Sequence, residues 1–344
     1  MPDSLLQTSP DGLYCPAGNF YIDPWNSVDR AVITHAHSDH ARLGSNVYLT
    51  SVVGANVLRA RLGDTAAIES VEYGEPRHIG GVRVTLHPAG HILGSSQVRV
   101  ESRGEVWVVS GDYKLALDPT CAAFEPLRCN TFITESTFGL PIYRWPAESA
   151  VFHDINQWWR RNQQSGKASV VFAYSLGKAQ RVLAGVDPSI GPIFAHGAIR
   201  NVNGSYRDSG ISLPEAASPF EAPGNYDWSR ALILAPPSAL GTTWIRRFGA
   251  ISDAFVSGWM RIRGTRRRRS IDRGFVLSDH ADWPSLLEAI RQSEAERVWV
   301  THGYRSPLVR WLTEHGKDAR VIETRWEGET GEIDTPAGPE KEPV

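Results

Sequence analysis

Three histidines and an aspartate stand within the six residues His35–His40 of "VITHAHSDHARLG", directly after an apolar run, in a chain with only eleven histidines. His35 and His37 are two apart. At the end of a strand that spacing turns both rings to one side, as two ligands of one metal must be. Asp39 and His40 follow in the next turn and can face a second metal from the neighbouring direction. A helical zinc motif would space its histidines four apart, so this pattern predicts a strand-to-loop site. A polar loop of no consequence is the bland alternative, and the density of the motif argues against it.

More ligands stand at other strand ends. His91 lies in "PAGHILGS" between Gly90 and Gly94, which permit tight turns; Asp112 lies in "SGDY" and His302 in "VTHGY". Two metals sharing Asp112 as a bridge would each have three to four protein ligands and room for a bound hydroxide. Nitrogen and carboxylate donors with open positions suit zinc or manganese. Paired metals about 3.5–4 Å apart activate water and stabilise attacking and leaving oxygens, which is hydrolytic chemistry.

The elements that must position these residues share one grammar. "RAVITHAH", "VRVTLHPAGH", "VWVVSGD", "TFITES", "GFVLSDH" and "RVWVTHG" are each a β-branched run followed by a loop bearing His, Asp or Glu. The alternation of Val82, Val84 and Leu86 marks one buried sheet face. Such loops would converge on one sheet edge, where α/β proteins place their sites. The middle of the chain alternates strand and helix without such clusters. "AVFHDINQWWRRNQQSG" has Val151, Ile155, Trp158 and Trp159 at helical spacing before Gly166, and "KASVVFAYS" and "RALILAPP" read as strands. The expected organisation is one domain of residues 1–145 and 261–326, an α/β insert of 146–260, and a loose, polar, Pro/Gly-rich tail of 327–344.

Length and composition agree: 344 residues hold two ordinary domains, and 41% hydrophobic residues suit a packed core. The formal charge of -2 identifies no partner. Cys15, Cys121 and Cys129 are scattered, against a disulfide framework or cysteine zinc site and in keeping with a reducing cytoplasm. The opening residues lack a signal peptide's basic start and apolar core, and no apolar run is long enough to span a bilayer. The expectation is a cytoplasmic protein.

"HAHSDH", "GHILGS" and "SGDY" resemble the successive ligand motifs of the metallo-β-lactamase fold, an αββα sandwich. "TESTFG", "LSDHAD" and "THG" after the long insertion resemble its nucleic-acid-processing beta-CASP branch. "SGWMRIRGTRRRRSIDRGFVLSDHADW" resembles, more narrowly, the bacterial ligase-associated DNA exonucleases. The resemblance covers nearly the whole chain except the tail. It implies that His35, His37 and His91 hold one metal and Asp39, His40 and His302 a second, with Asp112 between them. It further implies Asp39, Glu135 and His280 as catalytic residues: His280 as general acid facing the scissile phosphate, Glu135 orienting it. Asp23 in "YIDPW" matches the fold's early supporting aspartate. DNA is the implied substrate, as single strands or duplex ends, with an ATP-dependent DNA ligase and a helicase as partners in repair. His302, at a position where DNA-selective members often carry an aliphatic residue, leaves DNA preference less secure.

The substrate reading also rests on charge. Arg261, Arg263 and Arg266, Arg267, Arg268 and Arg269 end a strand's length before His280. A basic run is often only a solvated face, but beside a hydrolytic centre it is better explained as phosphate contacts. Ser175 and Gly177 could present a helix start to a phosphate with Lys178 and Arg181 nearby; an ordinary helix cap explains them equally well. Trp259 is the tryptophan most suited to base stacking, the others reading as core. His87 reads as a supporting group, His196 as a weak cleft candidate, and His78, His153 and His315 as surface residues. The leading expectation is a metal-dependent DNA exonuclease, ahead of an RNA-processing nuclease. A small-molecule hydrolase would not need the insert or the arginines, and a non-catalytic scaffold would not keep a full ligand set.

Overall fold

The computed structural model describes residues 4–262 and 271–326. Arg263, Arg266–Arg269 and the 327–344 tail lie outside the described residues. The chain is a mixed α/β protein that divides into two compact units. One runs up to Arg144 and resumes at Asp279; the other is Trp145–Ser278.

The first unit opens with six short strands, β1 (Gln7–Ser9), β2 (Gly12–Cys15), β3 (Phe20–Ile22), β4 (Arg30–Val32), β5 (Val47–Ser51) and β6 (Ile68–Val71), which pair in chain order into one sheet. Helix α1 (Ala55–Leu62) joins β5 to β6 and leans on both. Five strands follow: β7 (Arg77–Ile79), β8 (Val82–Pro88), β9 (Ser96–Ser102), β10 (Glu105–Val109) and β11 (Thr131–Ser136).

The other unit is built on a five-stranded sheet of β12 (Ala168–Phe172), β13 (Ile193–Ala195), β14 (Leu232–Ala235), β15 (Ile251–Val256) and β16 (Arg273–Phe275), in the order β13-β14-β12-β15-β16. All its pairings are parallel. All five residues of β12 are buried, as a strand covered on both faces requires. Its helices are α2 (Glu148–Gln164), α3 (Lys178–Gly185), α4 (Gly197–Asp208) and the short α5 (Thr243–Arg246). In α2, Val151, Ile155, Trp158 and Trp159 form the buried stripe. This unit extends past the expected boundary at residue 260. The segment resuming at Ile271 adds β16 to its sheet beside β15, and hydrogen bonding within that sheet outweighs the sequence neighbourhood of "LSDHAD".

Back in the first unit, α6 (Trp283–Gln292), β17 (Arg297–Gly303), α7 (Arg305–Glu314) and β18 (Asp318–Val321) complete a seven-stranded sheet of order β18-β17-β11-β10-β9-β8-β7. The strand period of two divides its side chains between two cores. Trp107, Val109, Ile133 and Trp299 join Val82, Val84 and Leu86 in packing against Phe20, Ile22, Val32 and Leu49 of the first sheet. Val108, Phe132, Val298 and Val300 point the other way, into α6 and α7.

Strands β10, β11 and β17 are adjacent and parallel, and β8 runs the same way, being antiparallel to β9, itself antiparallel to β10. The loops after all four therefore leave one edge of the sheet. The turn after β17 is tight: Gly303 has φ +87, and a Cβ there would lie 2.2 Å from the Ser136 carbonyl oxygen. Gly104 has a similar φ of +80 but faces open space. Gly303→Ala should therefore destabilise the protein by at least about 2 kcal/mol, and Gly104→Asn by under about 1 kcal/mol, because asparagine tolerates this conformation. Thermal unfolding of the two variants reads the difference; equal midpoints would show that the Gly303 approach relaxes freely.

Candidate metal centre

Asp112, 2% exposed, sits in the turn after β10 with histidines around its carboxylate. His302 Nε2 lies 3.0 Å from its Oδ1; His35, His40 and His91 Nε2 lie 3.6, 3.7 and 3.9 Å from its Oδ2. His91 Nε2 is 3.1 Å from His37 Nδ1, and Asp39 Oδ2 is 3.5 Å from His40 Nε2. One ligand atom from each of His35, His37, His91 and Asp112 falls within 4.8 Å of the rest, and the same holds for His40, Asp112 and His302. Donors about 2.0–2.2 Å from one tetrahedral ion stand about 3.4 Å apart, a value within the range of 3.0–3.9 Å found around Asp112.

The chemistry of the cluster calls for cations. Nε2 of His35 and of His40 is buried without a hydrogen-bond partner among the described residues, an expensive condition that a bound metal would relieve. The opposite ring nitrogens are held. His91 Nδ1 meets the Asp279 carbonyl at 2.8 Å, His35 Nδ1 the Thr34 hydroxyl at 3.0 Å, and His302 Nδ1 the Thr301 hydroxyl at 3.1 Å. Partners of this kind aim the free nitrogen and fix the tautomer of a metal ligand. The residues fit a pair of divalent ions.

His40 is anchored by Asp23, whose Oδ2 lies 2.7 Å from His40 Nδ1 and whose Oδ1 accepts the Thr34 backbone N–H at 2.7 Å. Asp23 takes up a left-handed backbone, φ +44, uncommon for a residue with a side chain. Trp326 completes this side: its indole lies nearly parallel to His40, with centroids 5.2 Å apart, and stands edge-on to His302 at 6.2 Å. Trp326 is not among the residues that the sequence motifs single out. The one available signal is an aromatic residue immediately before a polar tail.

The two halves differ electrostatically. Burial, reinforced by neighbouring histidines, holds His35 and His91 well below the ordinary imidazole range, so they are neutral and ready to ligate. Burial also pushes His40 down, but the Asp39, Asp112 and Asp23 carboxylates outweigh it and raise its pKa to about 10. Asp112 stays ionised despite burial because His40, His302 and His280 surround it.

A third group adjoins. His280, 1% exposed, places Nδ1 3.0 and 3.1 Å from the two Glu135 oxygens and 3.8 Å from Asp112 Oδ2. Glu135 also accepts the Tyr113 backbone N–H at 2.9 Å. This carboxylate therefore fixes the ring of His280.

Arg261 is exposed. Lys178 and Arg181 are buried in the other unit: Lys178 donates to the Leu277 carbonyl at 3.4 Å, and Arg181 to the Ser278 carbonyl and the Glu148 carboxylate. The Gly177 N–H donates to Gln180 Oε1 at 2.8 Å. The groups expected to meet a phosphate at the start of α3 thus have protein acceptors, because the sequence pattern of a phosphate turn and of a braced helix start is the same. Trp259 is half-buried against that unit's core. His196 caps α4 through Nδ1, accepting the Ala198 N–H at 3.2 Å. His87 stands 3.1 Å from Glu125, and His78, His153 and His315 are exposed. No disulfide joins Cys15, Cys121 or Cys129, and no helix among the described residues is long and apolar enough to cross a membrane.

The difference between His40 and its neighbours is measurable. Imidazole must be neutral to bind metal, so loading the metal-free protein at pH 8 should expel about one proton from His40. This release should persist up to the raised pKa near 10 and fade above it. Calorimetric zinc titrations in buffers of different ionisation enthalpy count the proton; none released at pH 8 would show that His40 is already neutral.

No family model matches the chain. A protein of Opitutus terrae called "Probable DNA ligase" is 31% identical over 318 residues, covering 90% of this chain and 30% of that protein. "Endoribonuclease YSH1" of Gibberella zeae is 26% identical over 227 residues, covering 54% of this chain and 26% of that protein. The chain thus spans less than a third of either relative. A solved structure of a protein of unknown function from Enterococcus faecalis V583 shares the fold, with a TM-score of 0.53 at 12% identity over 87% of this chain and 80% of that one. Of these two relatives, one carries the name of a DNA ligase and the other that of an endoribonuclease.

Proposed function

We propose that this protein is a metal-dependent DNA exonuclease that hydrolyses phosphodiester bonds at DNA ends during repair. The observation that carries the nuclease reading is the juxtaposition of buried imidazole nitrogens around Asp112 with the Glu135–His280 pair. His35, His37, His91 and Asp112 would hold one divalent ion, zinc or manganese, and Asp39, His40, His302 and Asp112 the other. When bound, such ions lower the pKa of a water and offset charge on phosphate oxygens.

The chain's own residues supply the proton and the aim. Glu135 holds the proton on His280 Nδ1, so the ring presents Nε2 at a fixed angle. With Nε2 also protonated, His280 gives that proton to the leaving oxygen, a general-acid role worth about 10²–10⁴ in rate. Asp39 combines its ligand role with shaping the charge around His40.

DNA is favoured by the relative named as a probable DNA ligase, which aligns with nine-tenths of the chain. The second reading, an RNA-processing nuclease with the same centre, is favoured by the endoribonuclease relative and by His302. An ATP-dependent DNA ligase and a helicase are the proposed partners, in the cytoplasm.

Matched single- and double-stranded DNA and RNA, labelled separately at each end and digested with zinc and manganese in parallel, separate the readings. DNA shortened progressively from an end is expected; RNA cut with DNA untouched would establish the second reading. In the same assay His280→Ala should lose at least about 10²-fold in rate with its metal content unchanged. Loss of metal from that variant would make His280 a ligand instead.

The arginine run generates a separate test. Replacing Arg266, Arg267, Arg268 and Arg269 with alanine should weaken DNA binding at low salt. The slope of log affinity against log salt should flatten by about 0.9 for each phosphate the variant no longer neutralises. Binding titrations across a salt series measure both, and an unchanged slope would return the run to a solvated role.

A further inference from the structure

The described chain ends in a segment that crosses from one sheet to the loops of the other. After β18, Ile322 is still tied to the seven-stranded sheet, its N–H donating to the Val300 carbonyl at 2.9 Å. Four residues later Trp326, 4% exposed, is buried against residues that follow strands of the first sheet. Its Nε1–H donates to the Asp23 carbonyl oxygen at 2.9 Å. Its ring stacks on His40 at an interplanar angle of 20°, stands edge-on to His302 at 88°, and meets Trp25 at 6.4 Å. One indole therefore touches both histidines assigned to the second metal, and the backbone of the aspartate that orients one of them. His35 belongs to the other metal group, and its support comes from the Thr34 hydroxyl, not from the tryptophan.

We infer that Trp326 is a positioning residue specific to the second metal, so that the hold on that ion, and not on the first, depends on the segment Ile322–Trp326. This rests on the two-metal reading of the site. A buried imidazole can pivot about its Cβ–Cγ bond unless it is held at both an edge and a face. Asp23 holds His40 by the Nδ1 edge, and Trp326 supplies the flat face. The hydrogen bond to the Asp23 carbonyl also pins the left-handed turn from which that carboxylate projects. An imidazole bound to a cation is electron-poor, and the face of an indole is the electron-rich surface that favours it. The same ring excludes water from the ligand side of the site, which strengthens the electrostatics inside. The rings of His37 and His91 meet each other edge to face, and His91 is held by the Asp279 carbonyl.

The test is metal stoichiometry and affinity of the full chain, read without reference to turnover. Metal-free protein is dialysed against buffered free zinc over a concentration series, and bound zinc per chain is counted by elemental analysis. Cobalt substitution reports each site's coordination by its visible absorption. The variants are Trp326→Phe, which keeps a flat ring but no N–H, and Trp326→Leu, which keeps apolar bulk but no ring face. Wild type is expected to hold two ions. Trp326→Leu should keep the first with unchanged affinity and lose at least about tenfold in affinity for the second, and Trp326→Phe should restore most of that loss. If Trp326→Leu does not fold, Trp326→Met, a flexible filler without a ring face, carries the same expectation. Two ions bound equally well by the leucine or methionine variant would overturn the proposal. So would parallel weakening of both sites, which would mean that Trp326 merely stabilises the fold. A wild type that holds one ion under every condition would instead sink the two-metal reading beneath it.

Discussion

The carboxylate of Asp112 is buried with histidine nitrogens 3.0–3.9 Å from its two oxygens, and the architecture of the first unit follows from that. An ionised carboxylate taken out of water costs several kcal/mol unless positive charge is brought to it. The rings that offset it, His40, His302 and His280, and the neutral rings of His35 and His91 beside them come from segments spread over most of the chain. His35, His40, His91 and His302 can be gathered only if the strands before them end together. Parallel pairing of β10, β11 and β17 and the co-directional β8 provide that on one sheet. The loop after β4 joins them from the other sheet, where the Ser96 N–H donates to the Thr34 carbonyl at 2.7 Å. The shared core of the two sheets, with Trp107, Trp299, Phe20 and Leu49, keeps the two edges in register.

Much of this was legible in the residues. The ligand motifs each stand at the end of a β-branched run, and period-two alternation separates Trp107 and Val109 from Val108 just as the two cores do. The stripe of α2 follows from its helical spacing. What sequence could not convey is which elements pair over long range. β16 joins the second unit's sheet because its backbone finds a parallel neighbour in β15, a fact no local pattern carries. Lys178 and Arg181 show the same limit. Basic residues at a helix start read as anion contacts, whereas their head groups meet the Leu277 and Ser278 carbonyls, nearly a hundred residues away in sequence.

Trp326 marks a further limit, of a different physical kind. Metal ligands announce themselves through residue type, because few side chains can coordinate. The groups that hold a ligand's ring are chemically ordinary: a threonine hydroxyl, a backbone carbonyl, an indole face. They are recognised only by position, and so Thr34, the Asp279 carbonyl and Trp326 emerge from geometry alone. Asp23 lies between the two classes, a carboxylate whose left-handed backbone shows that the surrounding structure over-determines it.

The two ligand groups around Asp112 are not equivalent, and the asymmetry has a consequence for how the centre assembles. His35 and His91 are held neutral by burial and by neighbouring histidines. His40 sits among three carboxylates that hold a proton on it, and that proton stands in for a cation by offsetting the charge of Asp112, Asp39 and Asp23. On the two-metal reading, filling the second group would exchange a proton for a metal, whereas filling the first would require no such exchange at His35 and His91. On that reading the proton on His40 offsets part of the carboxylate charge until a divalent ion replaces it. A buried site built only from neutral imidazoles would leave Asp112 uncompensated when empty, and one built only from protonated imidazoles would repel the ion it is meant to hold. Dividing the roles between the two groups avoids both costs.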